Sequence, residues 1–157
     1  MKDITFIPYF NFSTVAQRYV DEGLLQHLIH DGITEREVIE RLMESQSLIC
    51  IDIDGYFVGF WSMEQVPDVQ GKSLIEIHVY MLPEFRRYSI DVLKYIKKTI
   101  FENSQFTAIL TTVPDDYSRV IPVLEKRLGF QEIHHQDAMM QRNGVDVGLT
   151  YLILTKE

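Results

Sequence analysis

Near Ser47 the spacing of apolar residues switches from helical to alternating, and it stays alternating as far as Leu82. This stretch reads as sheet, and Asp54-Gly55 inside it is a strong hairpin signal, because both turn residues tolerate positive φ. Three strands are predicted, at Ser47 to Ile53, Tyr56 to Val66 and Leu74 to Leu82, with Pro67 to Ser73 as a loop and Pro83 as the stop. In the third, Ile75, Ile77, Val79 and Met81 share one face, while Glu76, His78 and Tyr80 share the other.

The flanking segments return to mixed periods. Ile4 to Phe10 is rich in β-branched and aromatic residues and predicts a first strand. After Asn11 and Ser13, residues of N-cap type, apolar positions from Val15 to Ile29 recur at helical spacing, with Gly23 as an interruption and Asp31-Gly32 as the end. Thr34 and Glu37 form a capping box ahead of Val38, Ile39, Leu42 and Met43. A helix is expected from Ser89 to Asn103, then a buried strand from Phe106 to Val113. A short helix follows between Tyr117 and Arg127, with Pro122 near its beginning and Gly129 as its stop. Strands at Gln131 to Gln141 and Val145 to Leu154 are joined by Asn143-Gly144. The order β-α-α-β-β-β-α-β-α-β-β is that of an α/β (α+β) chain forming one domain over residues 1–157, a mixed sheet with helices on both faces.

Composition narrows the function classes. A chain of 157 residues with 46% hydrophobic and 24% charged residues has the balance of a globular protein with one core, not of a disordered one. Its net charge of -8 provides no uniform field toward nucleic acid or anionic membranes. The single cysteine, Cys50, excludes a disulfide framework and reads as a small buried hydrophobe in Leu48-Ile49-Cys50-Ile51. Without a signal-peptide pattern or an apolar run of membrane-spanning length, the chain is expected to be intracellular, with no membrane partner.

Few residues suggest chemistry. His78, whose ordinary pKa lies near neutrality, is a candidate base on the polar face of the third meander strand, together with Glu76; a simple pair between the two is the plainer reading. His27, His30 and Asp31 could in principle clip a metal but read as a solvated helix end, so no metal is expected. His134 and His135 are adjacent on a strand and point to opposite faces. The basic cluster of Arg86, Arg87, Lys94, Lys97 and Lys98 reads as a solvated helix face, with no direct nucleic-acid binding. Ser62, Ser73 and Ser89 lack the surroundings of a hydrolase nucleophile.

The element order, with Met81-Leu82-Pro83-Glu84-Phe85-Arg86 and Leu124-Glu125-Lys126-Arg127-Leu128-Gly129-Phe130, resembles the GNAT family of acyl-CoA-dependent N-acyltransferases. The resemblance implies a mixed, mostly antiparallel sheet, acetyl-CoA as coenzyme, and a diphosphate loop built from Met81, Arg86, Arg87, Ser89 and Asp91. Bare amides at a helix N-terminus hold the anion in that family. Here Ser89 and Asp91 replace the family's small residues and are expected to cap the helix themselves, which predicts weak or no coenzyme binding. The family's tyrosine acid falls at Glu125, and the role is not transferred to Tyr117.

A closer resemblance lies in His78 to Ser89, followed by a lysine-bearing helix and Thr111-Thr112-Val113-Pro114. It is to GNAT-like bacteriophage proteins associated with head assembly and internal ejection proteins. That implies an accessory protein with phage structural or ejection proteins as partners, in the cytoplasm of an infected bacterium or in the virion. The alternative is an N-acyltransferase acting on an amine, with Glu76 or His78 as base. An open sheet edge at either end can pair with a second copy as a homodimer.

Overall fold

A computed structural model describes residues 2–44, 47–69 and 71–156. Seven strands form one sheet in the order β1-β2-β3-β4-β5-β7-β6: β1 Ile4–Ile7, β2 Leu48–Ile53, β3 Tyr56–Val69, β4 Lys72–Met81, β5 Ala108–Pro114, β6 Gln131–Arg142 and β7 Val145–Thr155. All neighbours are antiparallel except β4 and β5, so the sheet is mixed as expected. Both hairpins form on the residues that signalled them, with Asp54 and Gly55 at φ 52° and 83° and Asn143 and Gly144 at 53° and 78°.

Helices cover both faces. Helix α3, Ser89–Asn103, buries Val92, Ile96, Ile100 and Phe101 against Ile75, Ile77 and Met81 of β4 and Ile109 of β5. On the opposite face α1, Ala16–Asp21, and α2, Glu35–Glu44, cover an aromatic group of Phe12, Tyr19, Phe60 and Tyr80. The capping box is made on both sides, Glu37 N–H donating to Thr34 Oγ1 at 3.2 Å and Thr34 N–H to Glu37 Oε2 at 2.9 Å. Cys50 is buried in the sheet, as its neighbours suggested.

Several boundaries differ from expectation. The helix expected from Val15 onward is broken into α1 and two single 3-10 turns, Phe12–Thr14 and Gln26–Leu28, because Gly23 takes φ 64° and ends α1's ladder. The loop expected at Pro67 to Ser73 is mostly strand, Val69 pairing with Lys72, while Gln70 lies outside the described residues. The helix expected between Tyr117 and Arg127 is a 3-10 turn at Asp115–Val120, then α4 at Ile121–Val123 and one π turn at Leu124–Leu128, closed by Gly129 at φ 86°. Pro122 at α4's start cannot donate to the preceding turn, which keeps that segment from being one α-helix.

Gly59 positions the centre of the sheet. A Cβ there would lie 2.4 Å from the Tyr80 carbonyl oxygen, so only glycine lets β3 press this closely on β4 beside a bulge between Ile51 and Asp52. Gly59→Ala is expected to lower unfolding free energy by about 2 kcal/mol in urea titration, the usual cost of overpacking a closed site.

Candidate functional site

Strands β4 and β5 pair only at Leu74↔Ala108, Ile75↔Ile109 and Glu76↔Leu110, although β4 runs on to Met81 and β5 to Pro114. Beyond that point each strand stays paired on its outer side alone, β4 to β3 and β5 to β7. The Thr111 hydroxyl donates to the Ile77 carbonyl at 3.0 Å and takes the place of the next ladder bond. Past this bond the strands part, and a cleft of about 430 Å³ opens between them, within the range of small-ligand sites.

One mouth of the cleft lies at the start of α3, where Met81, Arg86, Ser89 and Leu93 line it. The other end is lined by His27, His78, Tyr80, Tyr117 and Arg119. Of the residues predicted from sequence, His78, Met81, Arg86 and Ser89 line the cleft. Glu76 sits at the last strand pair, 3.7 Å from His78 Nε2, and is outside the lining. Arg87 turns away, its guanidinium 4.7 Å from the centre of the Tyr88 ring, and Asp91 stands exposed on the first turn of α3. Tyr80 belongs to the aromatic core, stacked on Phe60 at 4.6 Å, and burial pushes its hydroxyl up to about 12.

The expectation that Ser89 caps α3 is corrected. Ser89 is itself helical, at φ -57° and ψ -40°, and its side chain makes no capping bond. Its backbone N–H donates to the Arg86 carbonyl, so the 3-10 turn Pro83–Tyr88 runs straight into α3. The turn ahead of α3 begins at Pro83, where Leu82 is extended and Glu84 occupies the first turn, and it joins α3 through Tyr88, at φ -95° and ψ 2°. Glu84 in turn accepts two bonds from Arg18 of α1, at 2.5 and 2.7 Å. The Ser89 amide is thus already bonded within its own turn, and Asp91 places a carboxylate on the first turn of α3.

The far end is assembled by contacts that no local pattern announces. The Arg142 side chain, only 12% exposed, reaches from β6 to the Asp116 carboxylate and to the carbonyls of His27 and Ile29, the last at 2.8 Å. Asp31 accepts from the N–H groups of Asn143 and Gly144 at 2.9 and 2.8 Å. These bonds hold the 27–31 segment onto the final hairpin and set the His27 ring 5.5 Å from Tyr80 and 5.8 Å from Tyr117. Tyr117, to which sequence reasoning gave no role, thus lines the cleft, whereas Glu125 is exposed and lies outside the lining. His30 bonds the Asp31 carbonyl at 3.0 Å, and among the described residues no group of three acidic, histidine or cysteine side chains is placed to hold a metal. His135 bonds Asp115 at 2.8 Å, while His134 lies near the Tyr151 ring.

Desolvation lowers the pKa of His27 to about 4, reinforced by His78, Arg142 and Arg86 and opposed by Asp116. A folded pKa below the unfolded one means stability that is complete above about pH 6.5 and lost as the pH falls toward 4. With the exposed part of the ring discounted, the loss is about 1–2 kcal/mol. His27→Gln should remove that part of the decline, so that unfolding free energies of variant and wild type, measured from pH 7 to 4.5, converge or cross on acidification. Parallel curves would show that His27 does not titrate this way.

Comparison with known proteins adds a family and a fold. A family model described as protein of unknown function (DUF2824) matches residues 41–157. No curated protein matches the sequence. Spermidine N-acetyltransferase from Vibrio cholerae, solved with CoA and spermine, is similar with a TM-score of 0.76 at 10% identity, over 98% of this chain and 95% of that one. A ribosomal-protein-alanine N-acetyltransferase from Brucella melitensis has a TM-score of 0.70 at 14% identity, over 96% and 99%. A putative acetyltransferase from Salmonella typhimurium, solved with acetyl-CoA, has a TM-score of 0.70 at 14% identity, over 99% and 95%. At such identities the likeness carries the fold alone, and that fold is the GNAT acetyltransferase fold. Among the described residues no helix is long and apolar enough to cross a membrane.

Proposed function

Since the chain belongs to the DUF2824 family of proteins of unknown function and has the GNAT fold, we propose that it is a binding module with weak or no acyl-CoA affinity. In this reading it is an accessory protein of a bacteriophage, acting in head assembly or in the handling of internal ejection proteins, with the cleft between β4 and β5 serving protein contacts. One observation carries the binding half of the proposal: the Ser89 N–H, at the loop position where the resemblance implies a bare amide, is bonded to the Arg86 carbonyl. The phage half rests on the resemblance in His78 to Ser89 and Thr111 to Pro114.

A second reading, an acyl-CoA-dependent N-acyltransferase, is favoured by the cleft itself, which has Arg86 at one mouth and His78, with Glu76 beside it, further in. Calorimetric titration with acetyl-CoA separates the two. No heat of binding at micromolar coenzyme is expected; micromolar affinity abolished by Arg86→Ala would instead establish the enzyme reading. For the assembly role, the protein should co-sediment with phage heads or capture an ejection protein from infected cells. Failure of both would overturn it.

A further inference from the structure

The cleft carries a charge opposite to that of the protein. In a chain of net charge -8, the ionisable groups lining it are Arg86, Arg119, His27 and His78 with two tyrosines, and among the described residues no carboxylate is part of the lining. Arg86 and Arg119 have no ion-pair partner among the described residues. The nearby carboxylates at the inner end are engaged outside the lining, Asp116 by Arg142 and Glu76 beside His78 Nε2 at 3.7 Å. An ammonium group, such as a lysine or a polyamine presents, finds no counter-charge on these walls, whereas an anion finds the guanidinium groups of Arg86 and Arg119.

The walls also have unused main-chain groups. The Ile77 carbonyl turns toward β5, since it accepts from Thr111 across the gap, so by the alternation of a strand the Val79 N–H and C=O turn the same way. Among the described residues no strand pairs with β4 on that side beyond Glu76, and none with the facing edge of β5 beyond Leu110. Buried or half-buried backbone groups of this kind are satisfied by water or by an incoming chain. The free edges span residues 78–81 and 112–114, room for about four residues of extended chain at ~3.3 Å each.

We propose that the occupant is an extended, acidic segment of a partner protein, laid between β4 and β5 with its main chain bonded to the Val79 edge and its carboxylates facing Arg86 and Arg119. This rests on the binding-module reading above and gives that module its partner chemistry. A fluorescein-labelled six-residue peptide of alternating glutamate and valine, capped at both ends, serves as the probe, with fluorescence anisotropy as readout against the full chain.

Micromolar binding is expected, weakening as salt is raised. It should fall at least tenfold in Arg119→Glu and, separately, in Arg86→Glu, both exposed positions whose change leaves the fold intact. A peptide of the same sequence with alternate amides N-methylated should also lose at least tenfold, and a lysine–valine counterpart should bind at least tenfold more weakly than the glutamate one. Equal binding of the acidic and basic peptides, or unchanged binding after N-methylation, overturns the inference. If neither peptide binds while phage heads or an ejection protein are still captured, the inference falls and the accessory role stands. Peptide binding without any such capture supports the inference and removes the phage role. Coenzyme binding without peptide binding overturns both.

Discussion

The architecture depends on where two parallel strands stop being neighbours. β4 and β5 share three residue pairs and then separate, and the Thr111 hydroxyl on the Ile77 carbonyl marks the limit. Each strand remains supported on its other flank, so the sheet tolerates the opening without losing its cores on either side. A continuous sheet would bury those edges; a split one exposes polar backbone in a half-enclosed place, which is where recognition is cheapest to build.

The two ends of the opening are held by different physics. At the α3 end a 3-10 turn from Pro83 leads into the helix, and it is tied to α1 by the exposed Arg18–Glu84 bonds. At the other end a nearly enclosed guanidinium, Arg142, is satisfied by one carboxylate and two carbonyls drawn from separate segments. Such a charge is stable only with its partners in place, so it ties the 27–31 segment, the 115–120 turn and the final hairpin into one unit. His27 and Tyr117 owe their positions in the cleft to that unit.

Sharing a fold with acetyltransferases does not by itself carry their chemistry, because function resides in particular side chains and amides placed on the scaffold. Here the scaffold is shared, the Ser89 amide is bonded within its own turn, and Arg86 and Arg119 line the cleft of a protein of negative net charge.

Short-range physics was legible in the residues themselves. The period change near Ser47, the glycine-bearing hairpins, the Thr34–Glu37 box and the end of α3 at Asn103 all rest on interactions between residues a few positions apart, which the order of residues is enough to specify. The alternation in β4 likewise put His78 and Met81 on the strand that forms the cleft's wall. What tertiary structure decided were the contacts between distant segments: Arg142 meets His27 and Ile29 across 115 and 113 positions, and neither spacing nor composition encodes such a meeting. The same holds for Ser89, a good cap by residue type whose role was set by the turn before it. Capping needs a non-helical backbone, and the 3-10 segment packed at the cleft's mouth had already made that backbone helical.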